Sequence, residues 1–146
     1  MTSTFPFLQF LQSCITPVTL ISGVGLILLT ITNRLGRTID RIRHIVTELD
    51  NKESHRRNQK KIEIKILFKR GIYLRNSIIF IVISIIFSGI LIPCIFFMHL
   101  FAIDLYILGY IFFFLSILSI LISAVFFFLD IVLTLQALRL EAADYI

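Results

Sequence analysis

The chain has 146 residues, a length that fits one domain, yet 58% are apolar, fifteen are Phe and the mean hydropathy is +0.95. That composition excludes an ordinary soluble globular domain and indicates a protein that crosses a membrane several times. The net charge of +5 does not indicate nucleic-acid binding, because the basic residues lie beside apolar spans, where positive-inside sorting accounts for them first.

Residues 1–33 contain no Lys, Arg, Asp, Glu or His, and the first predicted span covers about residues 7–32. Crossing ~30 Å of hydrocarbon takes about 20 helical residues, so this run suffices. It lacks a positively charged start and a clear cleavage site, and reads as a retained span rather than a secretory signal. Pro17 interrupts it, which a membrane helix tolerates when neighbours satisfy the freed carbonyl. Cys14 here and Cys94 in the second span read as small buried hydrophobes, with a disulfide near the outer ends of the spans as the alternative.

At 100° per residue, Gln9, Gln12, Ser13, Thr16, Thr19, Gly23 and Thr30 fall on one face of this span. Arg34, Arg37 and Arg41 continue that face, and Ile27 is the one large apolar residue squarely on it. Lipid cannot satisfy a polar stripe, so it must face protein or water. One reading is a pore around an axis, with Gln9, Gln12, Thr16, Thr19, Gly23, Ile27 and Thr30 as lining and Ile27 as a dewetting constriction. The other is a helix–helix interface glued by small and hydroxyl residues.

The helix is predicted to run on through Asn33-Arg34 into a basic segment. Residues 34–75 hold thirteen of the fourteen Lys and Arg, whereas the N-terminus and the turn between the later spans hold none. This bias predicts the N-terminus outside and the charged stretch and C-terminus in the cytoplasm. Leu35, Ile39, Ile42, Val46 and Leu49 recur at 4,3,4,3 spacing, which predicts a coiled-coil-like seam. The turn formers of ELDNKESHRRN then end the pattern, and a second helix is predicted over about residues 56–75. Residues 33–76 are therefore predicted to form a cytoplasmic antiparallel helical hairpin, standing about 25–30 Å off the membrane. Asn33, Arg34, Arg37, Asp40, Arg41 and Arg43 would form either the inner mouth of a pore or a site for anionic lipid headgroups. Orientation does not need Asp40, so it implies a specific partner: Arg37, Arg43 or an arginine of a neighbouring subunit.

The second span is predicted over about residues 77–99, interrupted by Pro93, and the third over about 105–128. Asp104, in the turn HLFAIDLY between them, reads as a helix N-cap. Small residues four apart, Ser84/Ser88 and Ser119/Ser123, permit close packing. Asp130 closes the third span, and its candidate partners are Arg34, Arg75 and Arg70, at the same depth on the other spans. The chain then continues as a helix end over 129–146.

The run from Ile21 to Ile45 resembles the signature of a family of small membrane proteins catalogued as domain of unknown function 2721. The residues that carry the likeness are Asn33, Arg34, Leu35, Gly36, Arg37, Asp40, Arg41, Ile42 and Arg43, directly after a Gly/Ser-containing span. The resemblance implies a bacterial inner-membrane protein and supplies no activity.

Catalysis has little basis in these residues. His44, His55 and His99 are isolated, and no nucleophile–base pair, phosphate loop or metal-ligand spacing is present, so neither an enzyme nor a cofactor or metal is expected. The expected fold is all-α: one membrane domain over residues 1–146, with three spans, a cytoplasmic hairpin and symmetric homo-oligomerisation. The expected function is a channel-like pore lined by the first span. The alternative is a membrane-anchored scaffold whose basic hairpin binds anionic lipid or a cytoplasmic partner.

Overall fold

A computed structural model describes residues 4–51, 57–101 and 106–143, and the side-chain surroundings of residues 8, 11–48, 60–98, 100, 101 and 106–135. These residues are all helical: α1 (Thr4–Asn51), α2 (Arg57–Phe101) and α3 (Tyr106–Ala143). All three helices are long and apolar enough to cross a membrane. In lipid a helix is the structure that satisfies every backbone group within one segment, which is why long apolar runs adopt it. Helix α1 passes through Asn33-Arg34 without a break, so the predicted first span and first charged helix are one element. Likewise α2 joins the second charged segment to the second span, and α3 runs past Glu141. The predicted N-cap Asp104 lies outside the described residues.

Each helix contributes to two compact units. The first comprises Met1–Leu28 and Ile79–Ile122. Its interior is built from Pro17 and Val24 of α1, Ile81, Leu91 and Cys94 of α2, and serines of α2 and α3. The Ser116 hydroxyl lies 2.9 Å from that of Ser84 and 2.8 Å from that of Ser88, and 3.2 Å from the Ser84 carbonyl. Small side chains let the two backbones approach, and their hydroxyls then find partners across the seam. Phe87 and Phe112 stack beside it at 6.0 Å. Cys14 and Cys94 are both free thiols, so the disulfide alternative does not hold in this structure. Large apolar side chains such as Leu26, Ile86, Ile107, Phe114 and Leu121 point outward. An interior that includes paired serines under an apolar exterior suits lipid as the surrounding solvent.

The second unit comprises Leu29–Ile78 and Ser123–Ile146. Ile31, Thr38 and Ile45 of α1 are buried with Leu67, Leu74 and Ser77 of α2 and Ser123 and Asp130 of α3. The Ser77 and Ser123 hydroxyls are 2.7 Å apart, and each also lies within donating distance of the other's carbonyl, at 2.9 and 2.8 Å. The predicted seam of the charged segment needs correction here. Ile39 and Val46 are 40% and 47% exposed, Leu35 and Ile42 are half-buried, and Ile31, Thr38 and Ile45 carry the core instead. Leu49 lies outside the residues whose side chains are described. Helices α1 and α2 run antiparallel in this unit, as the pairs Arg41–Glu63 and Glu48–Lys60 require.

Ser123→Ala removes one hydroxyl from a buried reciprocal pair. It should cost about 0.6 kcal/mol, within the ~1.7 kcal/mol ceiling for hydrogen bonds between membrane helices. Ser123→Leu should cost more, because the close approach leaves no room for a branched side chain. Reversible unfolding in detergent–lipid mixtures measures both.

Candidate functional site

The second unit holds a buried carboxylate. Asp130 on α3 has a fully buried side chain and is reached by one arginine from each of the other helices. Arg70 on α2 donates from Nε to Oδ1 at 3.1 Å. Arg34 on α1 places Nη2 3.2 Å from Oδ2. That second contact is within ion-pair range but is not aligned as a hydrogen bond, and Oδ2 has no hydrogen-bond partner among the described residues. The Arg34 contact is therefore Coulombic and the Arg70 contact the directional one. The Arg34 guanidinium also lies over the Phe127 ring, 5.1 Å from its centroid. Tyr73 and Phe126, 6.4 Å apart, pack in the same unit. The Thr134 hydroxyl donates to the Asp130 carbonyl one turn earlier, at 2.8 Å.

The arrangement follows from desolvation. A buried carboxylate is costly unless it is paired. Neither arginine is free to water either, with side-chain exposures of 25% and 16%. Between the Asp130 contact and the Ser77–Ser123 pair, α2 advances seven residues and α3 goes back seven, so the ion cluster and the serine pair share one antiparallel register. Arg75 lies between those levels on α2 and is exposed. The ion pairs that reach Asp130 come from Arg34 and Arg70, not from Arg75.

Further from the apolar half, Arg41 donates twice to Glu63 Oε1, at 3.3 and 3.0 Å, and Lys60 donates to Glu48 Oε2 at 2.6 Å. His44 Nδ1 lies 3.8 Å from Glu48 on its own helix. Two of the arginines expected at a pore mouth, Arg34 and Arg41, are thus drawn into ion pairs inside this unit. Asn33, Arg37, Asp40 and Arg43 remain exposed. Sequence reasoning did not single out Glu63, whose only advance signal was its position on the helix predicted to run antiparallel to α1.

On the apolar part of α1, Gln12, Thr16, Thr19, Gly23, Ile27 and Thr30 are all exposed. The side chain of Gln9 is outside the described set. The Thr19 and Ser22 hydroxyls donate to the carbonyls of Ile15 and Val18, both at 2.9 Å. A Cβ added at Gly23 would meet nothing within 4 Å, so this glycine does not serve packing within the chain. The polar stripe therefore lies on the outer surface of α1, beside and not inside the core set.

The model of the protein family of unknown function DUF2721 matches residues 14–140. The chain belongs to this family. The match takes in the charged segment from Asn33 to Arg43, both arginines of the cluster and Asp130. No curated protein and no solved structure matches the chain.

Asp130→Ala should destabilise this DUF2721 protein by about 3–5 kcal/mol, because it strands two partly buried guanidinium groups. Arg75→Ala should stay within about 0.5 kcal/mol, as an exposed change away from the cluster. Equilibrium unfolding in bicelles compares the two, and equal losses would refute the assignment of partners.

Proposed function

We propose that copies of this membrane protein assemble around α1 and form a channel-like pore lined by its outward polar face. The observation that carries this reading is that Gln12, Thr16, Thr19, Gly23 and Thr30 are exposed on a helix apolar enough to span a membrane. A glutamine amide cannot satisfy all its donors and acceptors within its own helix, and lipid offers none. Thr and Ser hydroxyls are less demanding, since they return to their own backbone. The stripe is thus suited to water or to another protein surface. In the pore, Gln12, Thr16 and Thr19 line an outer vestibule, Gly23 leaves width, and Ile27 one turn further forms the apolar constriction. Positive-inside sorting puts the charged half of the protein in the cytoplasm and the N-terminus outside, which suits an inner-membrane protein of a bacterium.

Pairing of Arg34 with Asp130 and of Arg41 with Glu63 takes both charges out of the inner mouth. Arg37, Asp40 and Arg43 then remain there with one net positive charge per copy, so the mouth should favour anions only modestly.

A second reading has its own observation. Lys61, Lys65 and Lys69 lie four residues apart on α2 and are exposed, with Phe68 and Arg75 beside the row. Such a face would hold anionic headgroups or an acidic cytoplasmic partner, with the spans as anchors.

Purified protein in planar bilayers should pass ion current. Ile27→Ala should raise unitary conductance, and Gly23→Leu should lower it several-fold with the unfolding midpoint unchanged, since no neighbour within the chain fills that space. A silent wild type, or conductance insensitive to both changes, would refute the pore and leave the headgroup reading.

A further inference from the structure

We infer that Arg37 and Asp40 form an ion pair between neighbouring copies of this chain, which sets the register of their α1 helices. The inference rests on the reading that α1 faces other copies.

Among the carboxylates whose side chains are described, Glu48, Glu63 and Asp130 each have an ion pair, and Asp40 has none. Arg37 on the same helix is also exposed and has no ion pair among the described residues. Asp40 has Arg37 three residues before it and Arg43 and His44 three and four after it, all within helical reach. It pairs with none of them, and His44 is directed to Glu48. Both groups belong to one outward line in the second unit: Thr30, Asn33, Arg37, Asp40, His44 and Thr47, all exposed, spaced 3,4,3,4,3. That spacing forms a straight seam along a helix that meets a neighbour at a shallow angle.

The occupant follows from symmetry and charge. Copies inserted in one membrane share their orientation, so two α1 helices would meet in parallel and in register. In that geometry a side chain reaches not only its own equivalent but also the residue three positions on, about 4.5 Å along the axis. Arg37 of one copy therefore lies beside Asp40 of the next. The seam is self-complementary in this respect and needs no other protein to supply the opposite charge. Gly36, between Thr30 and Asp40 in sequence, has no atom within 4 Å of an added Cβ, so no side chain of this chain crowds the approach.

The test uses full-length chains carrying two different tags, co-expressed and captured through one tag. Arg37→Asp and Asp40→Arg should each weaken recovery of like-tagged partners about 2–5-fold, the range for one exposed ion pair. Co-expressed together, the two single variants restore the opposite charges across the interface, and mixed capture should return to the wild-type level. An ion pair within one chain would not be repaired by mixing, so absence of rescue overturns the inference. Unchanged self-capture in both single variants overturns it too, while leaving the pore reading intact. Absence of self-capture in the wild type would sink both. Unfolding midpoints unchanged from wild type, as expected for exposed substitutions, show that each variant is folded.

Discussion

The structure of the charged half turns on one desolvated carboxylate. Asp130 has lost all contact with water, and a charge in that position persists only with close partners. Its two arginines come from two other helices, so a single side chain ties α1, α2 and α3 together. Moving any helix by one turn, about 5.4 Å, would break the contact, and the Ser77–Ser123 pair on the same register would go with it. Apolar packing alone tolerates sliding in lipid, where side chains and solvent are equally greasy. Ions and hydroxyls do not, and here they specify the alignment that hydrophobicity cannot.

That use of polar groups inside leaves a distinct problem outside. The interior of the apolar half mixes apolar side chains with serines, and Ser84, Ser88 and Ser116 are satisfied between α2 and α3. The core side of α1 presents Pro17 and Val24, and its remaining polar residues are left on the surface. Isolated hydroxyls there are harmless because they return to the backbone. A line that includes Gln12 and an open glycine has no such remedy, and the proposed assembly around α1 is the arrangement that removes it from lipid. The pore reading and the Arg37–Asp40 pairing both grow from this surplus.

The three long helices, close packing at Ser84, Ser88 and Ser123 and a partnership of Asp130 with arginine were legible in the sequence, because each follows from a local rule, whereas Ser77 and Ser116, the other halves of the serine seams, were not singled out. Apolar length gives the spans, small residues four apart give close packing, and a buried acid implies a base. Arg34 is among the candidate partners that the sequence offers for Asp130, but its departure from the stripe, and the pairing of Arg41 with Glu63, were not legible. A wheel at 100° per residue put Arg34 and Arg41 on the stripe with Gln9 and Thr19. The buried residues Pro17, Val24, Ile31, Thr38 and Ile45 instead recur every seven residues. A seven-residue repeat drifts about 20° per repeat against a straight helix, so over four repeats the core turns toward the line of the stripe. The stripe therefore reaches the core flank near Arg34 and Arg41, where Asp130 and Glu63 take them. The same drift explains why Ile39 and Val46, which match a local apolar pattern, lie outside. The partners themselves are set by contacts between distant segments, which no local spacing encodes.

The central claim is that the polar face of α1 looks toward other copies and its apolar flank toward lipid. Spin labels at Thr16 and at Val18 sample the two sides directly, since both residues are exposed and lie about 200° apart around the helix. With single labels in reconstituted protein that lacks Cys14 and Cys94, pulsed electron resonance would give the distance between copies at each position. The account requires a clearly shorter distance at Thr16 than at Val18. A shorter distance at Val18, or no coupling between copies at either site, would contradict it.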